Sequence, residues 1–243
     1  MGTRSNLLIT GGWAHDFVHT APELASIIDG TDALSVRTVV VDDLDEAARA
    51  LATQDFDVLT VYACWFRMLD PRYSEENRAK WSRTLTPNLR AGLEKHRDAG
   101  RPLFAMHTAP ICFDEWPQWG EWIGGAWQWG TSFHPAPAEL TIDVVGDHAI
   151  VHGLSTFTIT DERYSKLARS PQSAVQLASR PLEPGDTGTE PTLWVHDRAE
   201  GRAVFNALGH SVSSLEHPNH RTLVRRSMAW LLGEPDHVVK EIA

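Results

Sequence analysis

Apolar and polar positions follow two rhythms through the first hundred residues. Short unbroken apolar runs occur at 6–12 ("NLLITGG"), 35–41 ("SVRTVVV"), 56–63 ("FDVLTVYA") and 102–107 ("PLFAMH"). Between them, apolar residues return every three or four positions. The runs are short and rich in β-branched residues, which predicts strands of a parallel sheet; the stretches between predict amphipathic helices. Capping chemistry marks two helix starts. Thr20-Ala-Pro-Glu23 reads as a capping box ahead of Leu24, Ile27 and Ile28. In "TPNLRAGLEKHRDAG", Thr86 is placed as N-cap, Pro87 at the first helical position and Gly100 just past the end, with Leu89 and Leu93 on the buried face. Strand, helix and strand repeated at this spacing predict an α/β fold of three layers, α/β/α, around a mostly parallel central sheet. Such crossovers are right-handed, and ligands bind beyond the carboxyl ends of the strands. Trp13-Ala-His15-Asp16, Cys64-Trp65 and His107 end three of the runs, so they are expected along one edge of the sheet.

The rhythm changes in the second half. Short strands are predicted at 138–145, 157–160, 173–179, 192–197 and 203–209, separated by Gly/Pro turns, forming a β-rich extension that is partly antiparallel. Residues 181–191 ("PLEPGDTGTEP") read as a surface loop. A final helix covers 223–232, with Val224, Met228 and Leu231 on one face. No repeat and no long linker interrupts the chain, so residues 1–243 are expected to form one domain.

Composition narrows the function classes. The net charge of −10 comes without a basic stripe or a run of like charges, which argues against nucleic acid as a partner. The first residues lack a signal-peptide core, and no apolar run approaches the roughly 18 residues of a membrane span, so the expectation is a cytoplasmic protein without membrane contact. Cys64 and Cys112 have no metal-binding spacing. Twelve histidines and ten tryptophans are the departures from ordinary usage. Both types join an apolar body to a polar handle and favour binding sites.

The candidate chemistry follows from position. His107 sits where a strand turns abruptly toward a helix, the geometry that exposes a nucleophile in other α/β enzymes. A histidine there can handle protons or bind metal. Cys112 lies beside Asp114 and Glu115, which work against a reactive thiolate, and Cys64 also reads as structural. The segment "DEWPQWGEWIGGAWQWG" holds Trp116, Trp119, Trp122, Trp127 and Trp129. The first three share one helical face and would serve as core, while the cluster as a whole would suit a pocket wall for a sugar, opened by Trp116. His134 precedes a proline, Asp161-Glu162 follows a strand, and His210 follows another. His107, His134, Glu162 and His210 are therefore the candidates for acid–base catalysis, and His134, Glu162 and His210 the candidate ligands for zinc or manganese. No short histidine spacing exists, so any metal site depends on tertiary convergence. Serine-nucleophile elbows and phosphate-binding glycine loops are absent.

In order along the chain, "GGWAHDF", "GLEKHRDAGRPLFAMHTA", "WPQWGEWIGGAW", "FHP", "GDHAIVHGL", "TITDERY", "VFNALGH" and "RRSMAWLLG" resemble the trehalose-utilisation (ThuA-like) family. The resemblance implies a flavodoxin-like sheet of the class I glutamine amidotransferase group, with His107 where those relatives carry cysteine and glutaminase chemistry therefore lost. It also implies that His15-Asp16, His107, His134, Asp161-Glu162 and His210 are pocket residues. With the strand-end tryptophans added, the residues expected on the substrate are Trp13, His15, Asp16, Trp65, Trp116 and Asp161. The activity it implies is sugar catabolism, on keto-sugars of the 3-keto-glycoside type. The alternative is a non-catalytic sugar-binding or regulatory module. The expected partner is a small carbohydrate, and exposed aromatics leave a homodimer open.

Overall fold

The computed structural model describes residues 2–183, 188–198 and 201–243. Residues 184–187 of the expected surface loop lie outside the described residues, and the end of that stretch is already strand. In chain order the elements are β1 (Arg4–Gly12), α1 (Phe17–Asp29), β2 (Val36–Val41), α2 (Leu44–Thr53), β3 (Val58–Cys64), α3 (Glu75–Trp81), α4 (Pro87–Asp98), β4 (Leu103–Met106) and α5 (Pro117–Ile123). The second half adds β5 (Gly125–Ala126), β6 (Ala138–Val144), β7 (Phe157–Asp161), β8 (Ala168–Arg169), β9 (Ala174–Ser179), β10 (Glu190–Arg198), β11 (Gly201–Asn206), α6 (Val212–Glu216), α7 (Pro218–Leu231) and α8 (Asp236–Glu241).

Local chemistry accounts for most of these elements. Every side chain of β3 and β4 is buried, as strands covered on both faces require. The α4 helix begins where its cap predicts: Thr86 accepts from the Leu89 N–H and Pro87 occupies the first turn. Gly100, at φ +70°, follows the end of that helix. The capping box at Thr20, by contrast, does not form. The α1 helix starts three residues earlier at Phe17, the Thr20 hydroxyl donates to the Asp16 carbonyl, and Pro22 lies inside the helix. Phe17 is buried edge-on against Tyr62, 5.1 Å between ring centres. That contact draws the chain into helix before the local capping signal. The segment around Pro71 also holds a short helix, α3, capped by Ser74.

Nine strands form one sheet in the order β2-β1-β3-β4-β11-β10-β9-β6-β7. The first five are mutually parallel, and the last four extend them in antiparallel fashion. Alternate residues divide the core into two layers. Leu8, Tyr62, Phe104 and Val204 pack with Leu24 of α1 and Met228 of α7, whereas Leu7, Val61, Ala105 and Phe205 pack with Leu51, Leu93 and Trp119 from α2, α4 and α5. No helix of the described residues is long and apolar enough to cross a membrane.

The extension curls. In a flat sheet β7 would stand four strand spacings, about 19 Å, from β11. Instead the Asp161 carboxylate at the end of β7 accepts from the Gly209 N–H, just beyond β11, at 2.8 Å. The end of the outermost antiparallel strand is thus folded back over the carboxyl edge of the parallel half.

Candidate active site

His107 occupies the elbow after β4. Its φ is +48°, a left-handed value that non-glycine residues adopt at a cost of about 1–3 kcal/mol and keep only where the surroundings impose it. Two bonds impose it here. The His107 N–H donates to Asn206 O at 2.7 Å, and the ring Nδ1 donates to Ala207 O at 2.7 Å. His15 arrives from the loop after β1, where Ala14 has φ +62°, and its Nδ1 donates to Trp13 O at 3.1 Å. His210 follows β11. Its loop is clamped from both sides: the Tyr62 hydroxyl donates to Gly209 O, and Asp161 accepts from the backbone N–H groups of Gly209 and His210. Glu162 directly follows β7, its N–H bound by the Asp161 carboxylate at 2.7 Å.

These four side chains converge. One ligand atom from each of His15, His107, Glu162 and His210 lies within 4.8 Å of all the others. A carbonyl oxygen only accepts, so His15 and His107 carry their ring protons on Nδ1. Their Nε2 atoms, bare in the neutral rings, face each other across 3.1 Å. The Glu162 carboxylate stands 3.4 Å from the His107 Nε2, 3.7 Å from the His15 Nε2 and 3.2 Å from the His210 Nδ1. These groups are close but not aligned as hydrogen bonds: Glu162 Oε2 and His210 Nδ1 are buried without a hydrogen-bond partner. The two bare Nε2 atoms and the Glu162 Oε2 gathered round one point suit a cation, either a proton or a metal.

The electrostatics agree. Burial pushes the Glu162 carboxyl up, but the His107, His15 and His210 imidazoles outweigh it and hold the group well below the usual carboxylate range. Around this one carboxylate two imidazoles move in opposite directions. Glu162 raises the pKa of His210, whose side chain is 28% exposed. Burial lowers that of His15, which is 8% exposed, against the pull of Glu162.

The trehalose-utilisation (ThuA) family model matches residues 6–231 of the chain. The chain belongs to the ThuA family. Membership places it in carbohydrate metabolism. A putative ThuA-like protein from Parabacteroides merdae superimposes with a TM-score of 0.73 at 15% identity, covering 96% of this chain and 91% of that one. A second, from Bacteroides uniformis, gives 0.71 at 15% identity, covering 94% and 91%. A glutamine amidotransferase from Thermotoga maritima shares the fold at a TM-score of 0.52 and 9% identity, covering 96% and 100%. No curated protein matches the chain.

Other residues expected at the site of this ThuA-family chain divide into two groups. His134 lies at the rim, its Nδ1 3.3 Å from Glu162 and its ring stacked 5.3 Å from Tyr164, but it stands outside the four-atom group. The best-placed ligand set therefore exchanges His134 for His15 and His107. Trp13 and His15 line a cavity of about 230 Å³ beside the centre, together with Glu162 and His134. Trp116 does not reach it. Trp116 is 2% exposed and packs against Trp119 in the layer beneath α4 and α5, because its position at the start of α5 aims it into the core. Asp16 points outward and pairs with His19. Trp65 donates to Thr10 O and borders a neighbouring groove instead. Asp161 is wholly buried; it faces backbone and the Ser214 hydroxyl, and so positions His210 and Glu162 without facing the cavity.

The tryptophan-rich segment is split: Trp116, Trp119 and Trp122 are core, while Trp127 and Trp129 form the cavity wall. Phe66, Tyr73 and Tyr164 also line the cavity, as do Arg72, Ile111 and Phe133, none of them expected from the sequence. Tyr164 lies two residues past Glu162, the one local sign available; Phe66 and Tyr73 carry none. The cysteines sit in dry surroundings. Burial, rather than the acids nearby, is the main cause that pushes the Cys112 thiol up to about 12, and burial raises Cys64 as well. Cys112 donates to Ala63 O at 2.8 Å.

Proposed function

We propose that the protein is an enzyme that transforms keto-sugars by moving a proton next to the carbonyl, at a centre where His15, His107, Glu162 and His210 hold a divalent cation. The observation that carries this reading is the pair of Nε2 atoms facing each other at 3.1 Å beside the Glu162 carboxylate. Ligands on a tetrahedral ion with bonds of about 2.1 Å stand roughly 3.4 Å apart. Four of the contacts, drawn from both Glu162 oxygens, lie at 3.1, 3.2, 3.4 and 3.7 Å, on either side of that value, and the whole set lies within 4.8 Å. Three imidazoles and one carboxylate suit zinc, manganese or iron. The carbonyl oxygens that receive the Nδ1 protons of His15 and His107 are the outer partners that orient metal-binding histidines.

A bound cation would have to take the sugar oxygen as a fifth ligand, beyond the four residues, to polarise the carbonyl. The chain's own groups do the rest. The aromatic wall of Trp13, Trp127, Trp129 and Tyr73 offers ring faces to the C–H faces of a pyranose. His134 lines the same cavity outside the ligand set, with its Nδ1–H turned toward Pro135 O and Glu162, which suits it to take up or return the substrate proton. Isomerisation, elimination and hydrolysis of a keto-glycoside all begin with that transfer.

The test is exchange of the hydrogen next to the carbonyl of a 3-keto-glucoside in heavy water, followed by NMR, alongside elemental analysis of protein purified without added metal. Stoichiometric metal and exchange that both vanish in Glu162→Gln are expected. Sugar binding without exchange, with or without metal, would instead favour the non-catalytic module.

A further inference from the structure

Asn206, His220, Ser214 and Asp161 form a chain of buried polar side chains from the end of β11 through α7 and α6 to the end of β7. Their exposures are 0, 0, 1 and 0%, and none of them lines the reactive cavity. Hydrogen-bond directions fix every member. The Asn206 side chain receives the Leu208 N–H at 3.1 Å, which only Oδ1 can do. Its Nδ2 hydrogens therefore face the His220 Nε2, 3.0 Å away, and that nitrogen must be bare. The His220 ring proton sits on Nδ1, where Ser214 O accepts it at 2.9 Å. The Ser214 hydroxyl donates onward to the Asp161 carboxylate, which also holds the Glu162, Gly209 and His210 N–H groups.

Peptide geometry carries this order to the centre. The Leu208 N–H and the Ala207 carbonyl belong to one planar trans peptide, so they point in opposite directions. Drawing the N–H onto the Asn206 oxygen aims the carbonyl the other way, at His107, whose Nδ1–H it accepts at 2.7 Å. The pairing of β11 with β4 ends at Asn206 and leaves that peptide to other partners. Were the Asn206 amide turned over, its NH2 would meet the Leu208 N–H, donor against donor. His220 prevents the turn by offering Nδ2 a bare nitrogen. Packing alone does not call for a histidine there. A position of α7 without exposure ordinarily takes an apolar residue, and burial lowers the His220 pKa, which keeps the ring neutral. A neutral imidazole has one donor and one acceptor, as the chain of bonds requires.

We propose that Asn206 and His220 are positioning residues of the centre. The His220 ring holds the Asn206 amide, the amide oxygen orients the peptide between Ala207 and Leu208, and the Ala207 carbonyl keeps the His107 proton on Nδ1, leaving Nε2 for the chemistry. This rests on the reading that the His107 Nε2 serves the reaction proposed above.

The test follows ring nitrogens first and turnover second. Long-range proton–nitrogen NMR is recorded on the full-length protein, as purified and after dialysis against a chelator. In the wild type, His107 should show one protonated and one unprotonated nitrogen. His220→Phe keeps a flat ring of similar size and offers Asn206 no acceptor. There the two His107 signals should draw together as the proton is shared between them, and kcat for keto-sugar proton exchange should fall about tenfold at unchanged KM. Thermal melting shows whether the variant folds; if it does not, Asn206→Ala, which removes the amide and adds no bulk, decides in its place with the same expected result. His96→Gln, at a buried histidine outside the chain of bonds, is the control: it should lower stability and leave the His107 signals where they are. Signals unmoved in the positioning variant, equally moved in the control, or moved with kcat unchanged would overturn the proposal. A wild type that exchanges no keto-sugar proton, with the signals responding as expected, would sink the reaction proposed above and leave the positioning of His107 standing.

Discussion

His15, His107 and His210 reach the centre from the parallel half of the sheet, whereas Glu162 and His134 reach it from the antiparallel extension. The two halves place their residues by different means. In the parallel half, β1, β4 and β11 run the same way, so whatever follows them arrives at one edge. In the extension, Glu162 arrives only because the strands curl until β7 meets the loop after β11, a contact held by the Asp161 carboxylate. Topology thus supplies three imidazoles, and one buried carboxylate fastens Glu162 to them. The centre is a joint between the halves, and its weakest member should be the fastening.

The largest effect is expected where the halves meet in the ligand set itself. Glu162→Gln and His107→Ala should each lower keto-sugar proton exchange by about 10²- to 10⁴-fold and release bound metal on elemental analysis. If one variant kept both, the centre would belong to a single half. Next comes the fastening. Asp161→Asn leaves N–H donors facing an amide and should cost about 1–3 kcal/mol of unfolding stability. It should also lower kcat about tenfold with a shifted pH profile, since His210 loses its backbone anchor. An unchanged pH profile would show that Asp161 merely supports the fold.

A third prediction isolates the parallel half. His96 of α4 is buried, with Nε2 donating to Pro102 O, and burial lowers its pKa to about 4 from an ordinary 6.5. Between those values the unfolded chain binds more protons than the folded one, so stability rises with pH. The contribution is complete above pH 6.5 and is lost as pH falls toward 4, amounting to about 3 kcal/mol. Denaturant unfolding of His96→Gln should show a flatter dependence over that window than the wild type does; an identical slope would assign the acid sensitivity elsewhere, buried His220 being the first candidate, since its pKa is also lowered to about 4. The smallest effect belongs to Cys112→Ser. It should leave exchange within about twofold, because the thiol is dry and protonated and a hydroxyl can keep the bond to Ala63 O.

Legibility from sequence followed the same division. Four strands and the α4 helix of the parallel half are legible because their signals are local: apolar runs of strand length, Thr86 ahead of Pro87, Gly100 after the last turn. The fifth strand, β11, reads from sequence as part of the extension, and only its pairing with β4 places it in the parallel half. Failures came where tertiary burial competed with a local signal. Phe17 packing on Tyr62 overrode the capping box at Thr20. Trp116, Trp119 and Trp122 were legible as one helical face, but a helical face does not say whether it meets core or cavity. Only the docking of α5 onto the sheet sent it into the core and left Trp127 and Trp129, past the helix, to line the site.

By itself the sequence determined the alternation of strands and helices, the edge at which His15 and His107 emerge, and the elbow that presents His107. Each depends on a handful of neighbouring residues and on the fixed handedness of the crossovers. The tertiary structure alone decided that the His15 and His107 nitrogens meet at 3.1 Å, that Glu162 joins them from 55 residues farther along, and that Asp161 serves as anchor. Those contacts depend on how far a mixed sheet coils across four antiparallel strands. Coiling sums small twists over the whole packed core, and no short stretch of sequence records it.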